Sequence, residues 1–274
     1  MQNLKLNNGV SIPEIGFGTW QTPDGETAVR AVKTALEYGY THIDTAACYE
    51  NEASVGHAVR ESGIPREKLF ITTKLWNTER GYDSALKAFA ASLQKLQLEY
   101  IDLYLIHWPD NKNPEPNIAS WKAFEKLYKE GLIKALGVSN FQPRHLRPLL
   151  DMAEIKPAVN QIEYHPGYRQ EETVEFCRKH DILVEAWSPL GCGRILQDSN
   201  LRRIAQKYNK SIAQLCLRWC RQNGTLPLPK SVTPERIKEN LRVFDFEISA
   251  EDMQYINDLP QFGWSGLEPD KVDF

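Results

Sequence analysis

The amino-acid sequence predicts an α/β fold in which eight parallel strands, joined by helices, close into a (β/α)8 TIM barrel. Eight short runs of β-branched and apolar residues alternate with helix-length stretches whose apolar residues recur every three or four positions. The chain has 274 residues, which is long for an ordinary domain and normal for one such barrel. We therefore expect one domain spanning residues 1–274.

The predicted strands and helices follow one another in a regular order. In chain order, the strands are EIGFGT, THIDT, LFITTK, IDLYLIHW, IKALGVS, AVNQIEY, ILVEAW and TLPLPK. Helical patterns between them include GETAVRAVKTALEYG, YDSALKAFAASLQKLQ and NIASWKAFEKLYKEG. We expect Gly39, Gly63 and Gly131 to end helices as left-handed caps. The strand-to-strand interval is roughly 25 to 40 residues, the size of one βαβ unit.

The main alternative to a closed barrel is an open, doubly wound sheet. A G-x-G-x-x-G fingerprint after the first strand would favour it, but GFGTWQ holds only the first two glycines. Two segments lie outside the eight units. LKLNNGVSIP predicts an N-terminal β-hairpin that turns at Asn8-Gly9 and caps one end of the barrel. The tail from Gln261, rich in glycine, proline and aromatic residues, predicts a C-terminal loop.

The composition excludes several classes of function. A formal net charge of −3, from 33 basic and 36 acidic residues, gives no electrostatic case for a nucleic-acid or membrane-surface partner. The chain shows neither a signal-peptide pattern nor an apolar run long enough for a transmembrane helix. Its five cysteines are scattered and lack a C-x-x-C pair, which argues against a disulfide framework and a zinc site. We expect a reduced, cytoplasmic protein without a bound metal.

Polar residues at three consecutive strand ends predict a proton-transfer site, because chemistry in such barrels gathers where strands end. These strand ends bring Asp44 and Tyr49, then Lys74, then His107 to one rim. Each residue alone has an ordinary explanation in capping or packing. Together, the Lys74 ammonium is expected to lower the pKa of the phenol, which is about 10 in a free tyrosine. Asp44 would keep the lysine charged, and His107 would orient a substrate carbonyl oxygen.

A series of motifs then gives a family resemblance. The motifs are GFGTW, HIDTAACYENE, TTKLWN, DLYLIHWP, GVSNF, NQIEYHP, AWSPLG and LPKSVTPERIKEN. From about Leu4 to Asp258 the chain resembles the aldo-keto reductases in the order and spacing of these motifs. The resemblance implies an NADP-dependent oxidoreductase that reduces aldehydes and ketones to alcohols by hydride transfer from NADPH, without a Rossmann fold. It also implies that Tyr49 is the general acid, Lys74 its pKa-lowering partner, Asp44 the support of that lysine and His107 the carbonyl-orienting group.

The same resemblance implies a set of NADPH contacts. Ser139, Asn140 and Gln161 would hold the nicotinamide carboxamide, and Trp187 would stack on the nicotinamide ring. The other implied cofactor-binding positions are Gly18, Thr19, Trp20, Ser188, Leu190, Gly191, Lys230, Ser231, Val232, Arg236, Glu239 and Asn240.

The adenosine end also has a physical interpretation of its own. Lys230, Ser231 and Arg236 surround a helix start at Thr233-Pro234, where a phosphate is favoured. An ordinary capped helix would show a similar pattern. Two cations at this position favour NADPH over NADH as the cofactor, and use of both cofactors stays open.

The sequence indicates the substrate less clearly than the cofactor. Trp20, Trp76 and Trp108 are expected to ring the carbonyl pocket, while Cys48 is interpreted as a packing residue. The loops after His107 and Trp187 are short, as in the 2,5-diketogluconate reductases and a prostaglandin F synthase type, which predicts an open site and broad specificity. Sugar-derived ketones, methylglyoxal-like dicarbonyls, aromatic aldehydes and quinones all remain candidates.

Two other functions compete with the reductase interpretation. The first is a cofactor-binding regulatory module, such as a channel subunit, with little turnover; the intact set of four site residues weighs against it. The second is a metal-dependent hydrolase on the same barrel, which would need a histidine and carboxylate cluster at the rim, and no H-x-H stands at a strand end. The expected partner is a small carbonyl compound, and the expected oligomeric state is a monomer.

Overall fold

Eight of the ten strands form one sheet in a computed structural model that describes residues 3–272. The ends of the predicted domain and of the predicted tail, residues 1–2 and 273–274, lie outside the described residues. The strands are β1 (Asn3–Lys5), β2 (Ser11–Pro13), β3 (Phe17–Gly18), β4 (His42–Asp44), β5 (Phe70–Leu75), β6 (Ile101–Ile106), β7 (Ile133–Ser139), β8 (Val159–Glu163), β9 (Leu183–Trp187) and β10 (Leu226–Pro227). Strands β3 to β10 pair in parallel with their sequence neighbours.

Two hydrogen bonds join the first and last strands of this sheet. The backbone N–H of Gly16 donates to the carbonyl oxygen of Pro227 at 3.1 Å, and that of Gly18 donates to Pro229 at 3.0 Å. The prolines have no N–H, so they accept in this seam without donating, and β10 stays short. The sheet is thereby closed, and the predicted (β/α)8 barrel is confirmed.

Helices follow the strands and cover the outside of the barrel. They are α1 (Glu26–Tyr38), α2 (Glu52–Glu61), α3 (Tyr82–Leu96), α4 (Glu115–Lys129), α5 (Pro143–Met152), α6 (Glu171–Lys179), α7 (Ser199–Lys207), α8 (Ile212–Gln222), α9 (Pro234–Asn240) and α10 (Ala250–Asn257). Short 3-10 turns span Ala47–Tyr49, Arg66–Lys68, Asn77–Glu79 and Gly191–Gln197. None of the helices described between residues 3 and 272 has the length and apolar character needed to cross a bilayer.

The predicted helix ends are confirmed at three glycines. Gly39 caps α1 in the left-handed region, with a φ of 103°, and its N–H donates to the carbonyl oxygen of Leu36 at 3.0 Å. Gly63 and Gly131 also adopt positive φ, each just after its helix has ended. A residue with a Cβ would be strained at these positions, so the glycines stop the helices and turn the chain back toward the next strand.

The predicted N-terminal hairpin is confirmed, and it plugs the amino-terminal end of the barrel. β1 and β2 pair antiparallel, and Gly9 lies in the turn with a φ of 85°. Leu6 and Ile12 pack into an apolar cluster with interior barrel residues such as Leu103 and Val159. The cluster closes the end of the barrel opposite the carboxyl ends of the strands. The predicted C-terminal loop is likewise confirmed over the described residues of the tail.

A close contact between α2 and α3 generates a stability prediction. A Cβ on Gly56 would overlap the backbone carbonyl of Leu96, which cannot move as a side-chain end would. Gly56→Ala should lower the free energy of unfolding by about 2 kcal/mol through overpacking, despite the helix-propensity gain of about 1 kcal/mol from alanine. Urea denaturation checks this.

The exposed Ala53 in the same helix supplies the comparison. Ala53→Gly should cost only the propensity difference. If Gly56→Ala instead proved as stable as the parent or more so, the close helix contact would be disproved.

Candidate active site

A buried lysine lies at the centre of the predicted site. Lys74, near the end of β5, is fully buried, and its Nζ donates to Asp44 Oδ1 at 2.6 Å and to the carbonyl oxygen of Thr45 at 2.8 Å. The same Nζ lies 3.4 Å from the Tyr49 hydroxyl. His107 follows β6 and meets the Tyr49 ring edge to face, with 5.6 Å between centroids. The structure thus brings all four predicted catalytic side chains together.

The protonation of Tyr49 differs from the expectation. Burial raises the pKa of the phenol well above its ordinary range, and the Asp44 carboxylate raises it further. The Lys74 ammonium was expected to lower this pKa, but desolvation of the phenolate outweighs its attraction in a closed site. In the free protein Tyr49 is therefore a neutral phenol that keeps its proton across neutral pH.

His107 is also neutral. Burial, assisted by the Lys74 charge, holds the pKa of the imidazole well below its usual range. Its Nδ1 lies 3.5 Å from the Sγ of Cys48, and burial raises the pKa of that thiol to about 11. Cys48 was interpreted as packing, but the structure makes it the hydrogen-bond partner of the imidazole.

A buried asparagine ties the loop after β3 to the loop that carries Tyr49. Asn51 donates through Nδ2 to the carbonyl oxygens of Thr19 and Thr22, both at 3.0 Å, and its Oδ1 accepts from the Thr45 hydroxyl at 2.8 Å. The Thr19 hydroxyl in turn donates to the carbonyl oxygen of Asp44 at 3.0 Å. This network holds the first two strand ends at a fixed spacing beside the lysine.

One cavity of about 670 Å³ runs along the carboxyl ends of the strands. The three predicted catalytic positions other than Lys74 line it, as do the three tryptophans predicted for the substrate. The predicted cofactor positions that line it are Gly18, Trp20, Ser139, Asn140, Gln161, Trp187, Ser188, Leu190, Lys230, Ser231, Arg236, Glu239 and Asn240.

Three predicted cofactor positions do not line this cavity. Thr19 is fully buried, and its hydroxyl serves the network with Asn51 described above. Gly191 lies in the 3-10 turn, where its neighbours Cys192 and Gly193 reach the cavity. The side chain of Val232 is exposed to solvent. Their contribution to cofactor binding stays a prediction, and for Thr19 the contacts observed support the loop that carries Trp20.

The middle of the cavity is held by amide and indole hydrogen bonds. Trp187 Nε1 donates to Asn140 Oδ1 at 2.8 Å, and Asn140 Nδ2 donates to the carbonyl oxygen of His107 at 3.0 Å. The Ser139 hydroxyl donates to the carbonyl oxygen of Gln161 at 2.8 Å. The ends of β7, β8 and β9 are therefore cross-linked around the place where Trp187 presents its indole.

The far end of the cavity is cationic. Lys230 and Arg236 line it from the segment that follows β10, and Lys230 Nζ donates to the carbonyl oxygen of Gln21 at 3.1 Å. Burial lowers the pKa of Lys230, and a phosphate bound beside it would restore the preference for the charged ammonium. Helix α9 begins here with Pro234 at its first turn, as predicted.

Sequence reasoning missed a further set of cavity residues. They are Gln21, Cys48, Pro189, Cys192, Gly193, Leu196, Ser211, Ile212, Ala213, Leu228, Pro229 and Leu267. One signal was available: Ser211 and Gln214 form a capping box at the start of α8, and S-x-x-Q is readable as a helix start. Nothing in the sequence indicates that this helix start faces the cofactor end of the cavity.

The buried carboxylate of Glu163 anchors the C-terminal tail at the rim. It accepts from the backbone N–H of Ser265 at 2.9 Å and from the Ser265 hydroxyl at 2.5 Å. Arg194, from the turn after β9, donates to the carbonyl oxygen of Gly263 at 2.8 Å and lies 3.6 Å from Glu163. These contacts place Leu267 on the cavity wall and join the tail to the turn after β9.

Two kinds of comparison identify the class of protein. The aldo/keto reductase family matches residues 14–260. A glyoxal reductase from Bacillus subtilis (strain 168) is 49% identical over 271 residues, which cover 99% of this chain and 97% of the relative. A 9,11-endoperoxide prostaglandin H2 reductase from Trypanosoma cruzi (strain CL Brener) is 48% identical over 270 residues, which cover 97% of this chain and 94% of the relative.

A solved structure of a substituted Gox0644 in complex with NADPH gives a TM-score of 0.94 at 41% identity, with 100% of this chain and 99% of that chain covered. The chain therefore belongs to the aldo/keto reductase family, as the sequence predicted. It is an oxidoreductase that acts on carbonyl groups with NADPH.

The anchoring of the tail generates a prediction. Glu163→Gln removes the charge and one of the two carboxylate acceptors, so the tail should detach more often. Limited chymotrypsin digestion should cut after Phe262 or Trp264 several-fold faster in the variant, because those residues lie directly before the anchored Ser265 and become accessible when the tail detaches. Glu175→Gln, at an exposed i,i+4 pair on α6, is the matched control. Equal cleavage rates for the parent and Glu163→Gln would refute the anchor.

Proposed function

We propose that this protein reduces small uncharged aldehydes and dicarbonyl compounds to alcohols, with Tyr49 as the proton donor. The observation that carries the proposal is the placement of the Lys74 ammonium 2.6 Å from Asp44 and 3.4 Å from the Tyr49 hydroxyl. A phenol beside a buried cation can release its proton at a defined position, because the cation stabilises the phenolate left behind.

The residues along the cavity fit NADPH. The cavity runs from Tyr49 to Arg236, with an indole, amides and a hydroxyl at its middle and two cations at its end. Trp187 would face the nicotinamide, and Lys230 and Arg236 would hold the phosphate on the adenosine ribose, as charge complementarity favours. A single cation would distinguish NADPH from NADH poorly, so the pair supports a preference for NADPH.

The chain's own residues then perform four tasks. Bound NADPH supplies the hydride for the carbonyl carbon. Tyr49 donates its proton to the carbonyl oxygen as negative charge develops there, and Lys74 stabilises the resulting phenolate. Asp44 keeps the lysine charged and in place. The Cys48 thiol, donating to Nδ1 of His107, would leave the imidazole proton on Nε2, from which it can orient the substrate oxygen.

The surroundings of the carbonyl subsite support small, uncharged substrates. Trp20, Trp76 and Trp108 line this part of the cavity, together with Cys48. The cations Lys230 and Arg236 belong to the opposite, post-β10 end, so they do not attract an acidic substrate to Tyr49. A relative that is 49% identical over 271 residues carries the name glyoxal reductase, which agrees with an uncharged dicarbonyl.

The protein is proposed to act as a single-domain monomer in the cytoplasm. All five cysteines are free thiols, which supports a reducing compartment. Gel filtration with light scattering tests the monomer.

Tyr49→Phe tests the proton donor. The variant removes the hydroxyl and keeps the ring, so reduction of methylglyoxal and p-nitrobenzaldehyde should fall by about 10²- to 10⁴-fold. NADPH oxidation followed by absorbance measures the rate, and calorimetry should show that NADPH still binds.

Tyr82→Phe is the matched control, because Tyr82 is exposed at the start of α3. Activity retained in Tyr49→Phe would remove Tyr49 as donor. NADPH binding by the parent, without turnover on any of a broad set of carbonyl compounds, would favour a regulatory module instead.

The neutral imidazole generates a prediction about pH. The His107 pKa is lowered, so this residue gains a proton only well below the ordinary histidine range, and the Tyr49 pKa is raised, so the phenol loses its proton only at high pH. The value of kcat/KM for reduction should therefore be flat between about pH 6 and pH 8. Stopped-flow rates with saturating NADPH check this. A break near pH 6.5 that disappears in His107→Gln would show that the imidazole titrates normally.

A further inference from the structure

A second buried carboxyl lies beneath the proposed nicotinamide subsite. Gln161 Nε2 donates to Asp44 Oδ2 at 2.9 Å and to Glu185 Oε2, also at 2.9 Å. Glu185 lies on β9, directly beside Gln161 in the strand register, and is fully buried. The Gln161 amide is therefore held from below by two acidic side chains on two different strands.

The hydrogen-bonding capacity of an amide determines which atom of the Gln161 side chain can face the cavity. An amide nitrogen carries two hydrogens, and both are directed at carboxyl oxygens here. Turning the amide over would place its carbonyl oxygen against the Asp44 carboxylate, which has no hydrogen to donate, so that bond would be lost. Gln161 also lines the cavity, so the group that it can present there is the acceptor Oε1.

We propose that Glu185 is a positioning residue that locks the Gln161 amide with its carbonyl oxygen toward the cavity, where it accepts from the NH2 of the nicotinamide carboxamide. This inference rests on the proposed NADPH function and extends it to a residue outside the cavity lining. The Asp44 carboxylate accepts one amide hydrogen and disfavours the turned amide; Glu185 supplies the second acceptor and holds the remaining hydrogen in place.

The charges around Glu185 agree with this role. Burial and the nearby Asp44 charge raise the pKa of Glu185 to about 8, although Lys74 opposes this. At neutral pH the group is an uncharged acid whose carbonyl oxygen still accepts from Gln161. Glu185 Oε1 makes no hydrogen bond with any residue between 3 and 272, and it lies 3.8 Å from Nε2 of His42. Burial lowers the pKa of His42 to about 3, so that ring is neutral as well.

If Glu185 only filled space, an apolar side chain would do so at a smaller cost in folding stability. A buried acid with one oxygen unpartnered costs stability, whereas an apolar side chain of similar volume avoids that cost. Glu185→Leu removes this cost but leaves one buried N–H of Gln161 unpaired, so the variant should still fold, with a stability close to that of the parent. What it removes is the second acceptor, so the Gln161 amide is held by Asp44 alone and its orientation is less firmly fixed.

The test compares NADPH with a ligand that contains only the adenosine end of the cofactor. Isothermal titration calorimetry with NADPH at pH 7 should give a Kd for Glu185→Leu about tenfold higher than for the parent, as expected for one misplaced hydrogen bond. Adenosine 2′,5′-bisphosphate lacks the nicotinamide, so its Kd should be unchanged. Glu185→Gln keeps an acceptor oxygen in place of the neutral acid and should bind NADPH within about twofold of the parent.

Each outcome decides one point. Equal NADPH affinity of Glu185→Leu and the parent overturns the inference while leaving the proposed function intact. Failure of the parent itself to bind NADPH overturns the proposed function instead. An equal loss of affinity for both ligands means a general structural role and also overturns the inference.

Control variants complete the design. Glu125→Gln changes another buried carboxyl, on α4 outside the barrel, where it accepts from the N–H of Ile155 at 2.9 Å, and it should leave both Kd values unchanged. If Glu185→Leu does not fold, Glu185→Met, with a longer and more adaptable chain, replaces it with the same expected difference between the two ligands.

Discussion

The structure of the site depends on one buried positive charge. Lys74 has no exposed surface, and an ammonium group in that position is stable only with compensating partners. Asp44 and the carbonyl oxygen of Thr45 provide them. The cation helps to keep His107 neutral, and its distance of 3.4 Å from the Tyr49 hydroxyl defines where a phenolate would be stabilised. Changing this pair would alter the protonation of the whole rim.

The barrel supplies those partners through alternation along each strand. Successive residues of a strand point to opposite faces, so residues two apart share the interior. His42 and Asp44 are such a pair on β4, and Glu185 and Trp187 are another on β9. The upper member of each pair lines the cavity, and the lower member lies fully buried beneath it. The site is therefore built in layers, and the lower polar layer supports the upper one.

The strand-ending residues were predictable from the sequence because strand ends are local patterns. The runs THIDT and LFITTK placed Asp44 and Lys74 at one rim, and the motif series identified the family. The lower layer was missed, although the two-residue period pointed from Trp187 to Glu185. The direction of the Tyr49 pKa was also missed, because desolvation depends on how completely distant segments cover the phenol. The spacing of residues in the sequence does not show how deeply the Tyr49 phenol is buried.

The burial of Thr19 shows a second limit of motif reasoning. A motif match assigns a position to a ligand without saying whether its side chain or its neighbours make the contact. Here the Thr19 hydroxyl bonds to the Asp44 carbonyl, so it acts through the loop that carries Trp20. Only the packing of that loop against Asn51 reveals the difference.

The aromatic lining of the cavity gives the protein a built-in optical signal. Four of its seven tryptophans, at positions 20, 76, 108 and 187, line this one cavity, whereas Trp121 and Trp219 are sealed in the core. Most of the indole groups therefore share one environment, and a molecule that enters the cavity would change the surroundings of all four. Reduced nicotinamide absorbs in the range where indole emits, so a bound cofactor would accept excitation energy from this group. The intrinsic emission of the protein thus reports chiefly on its cavity.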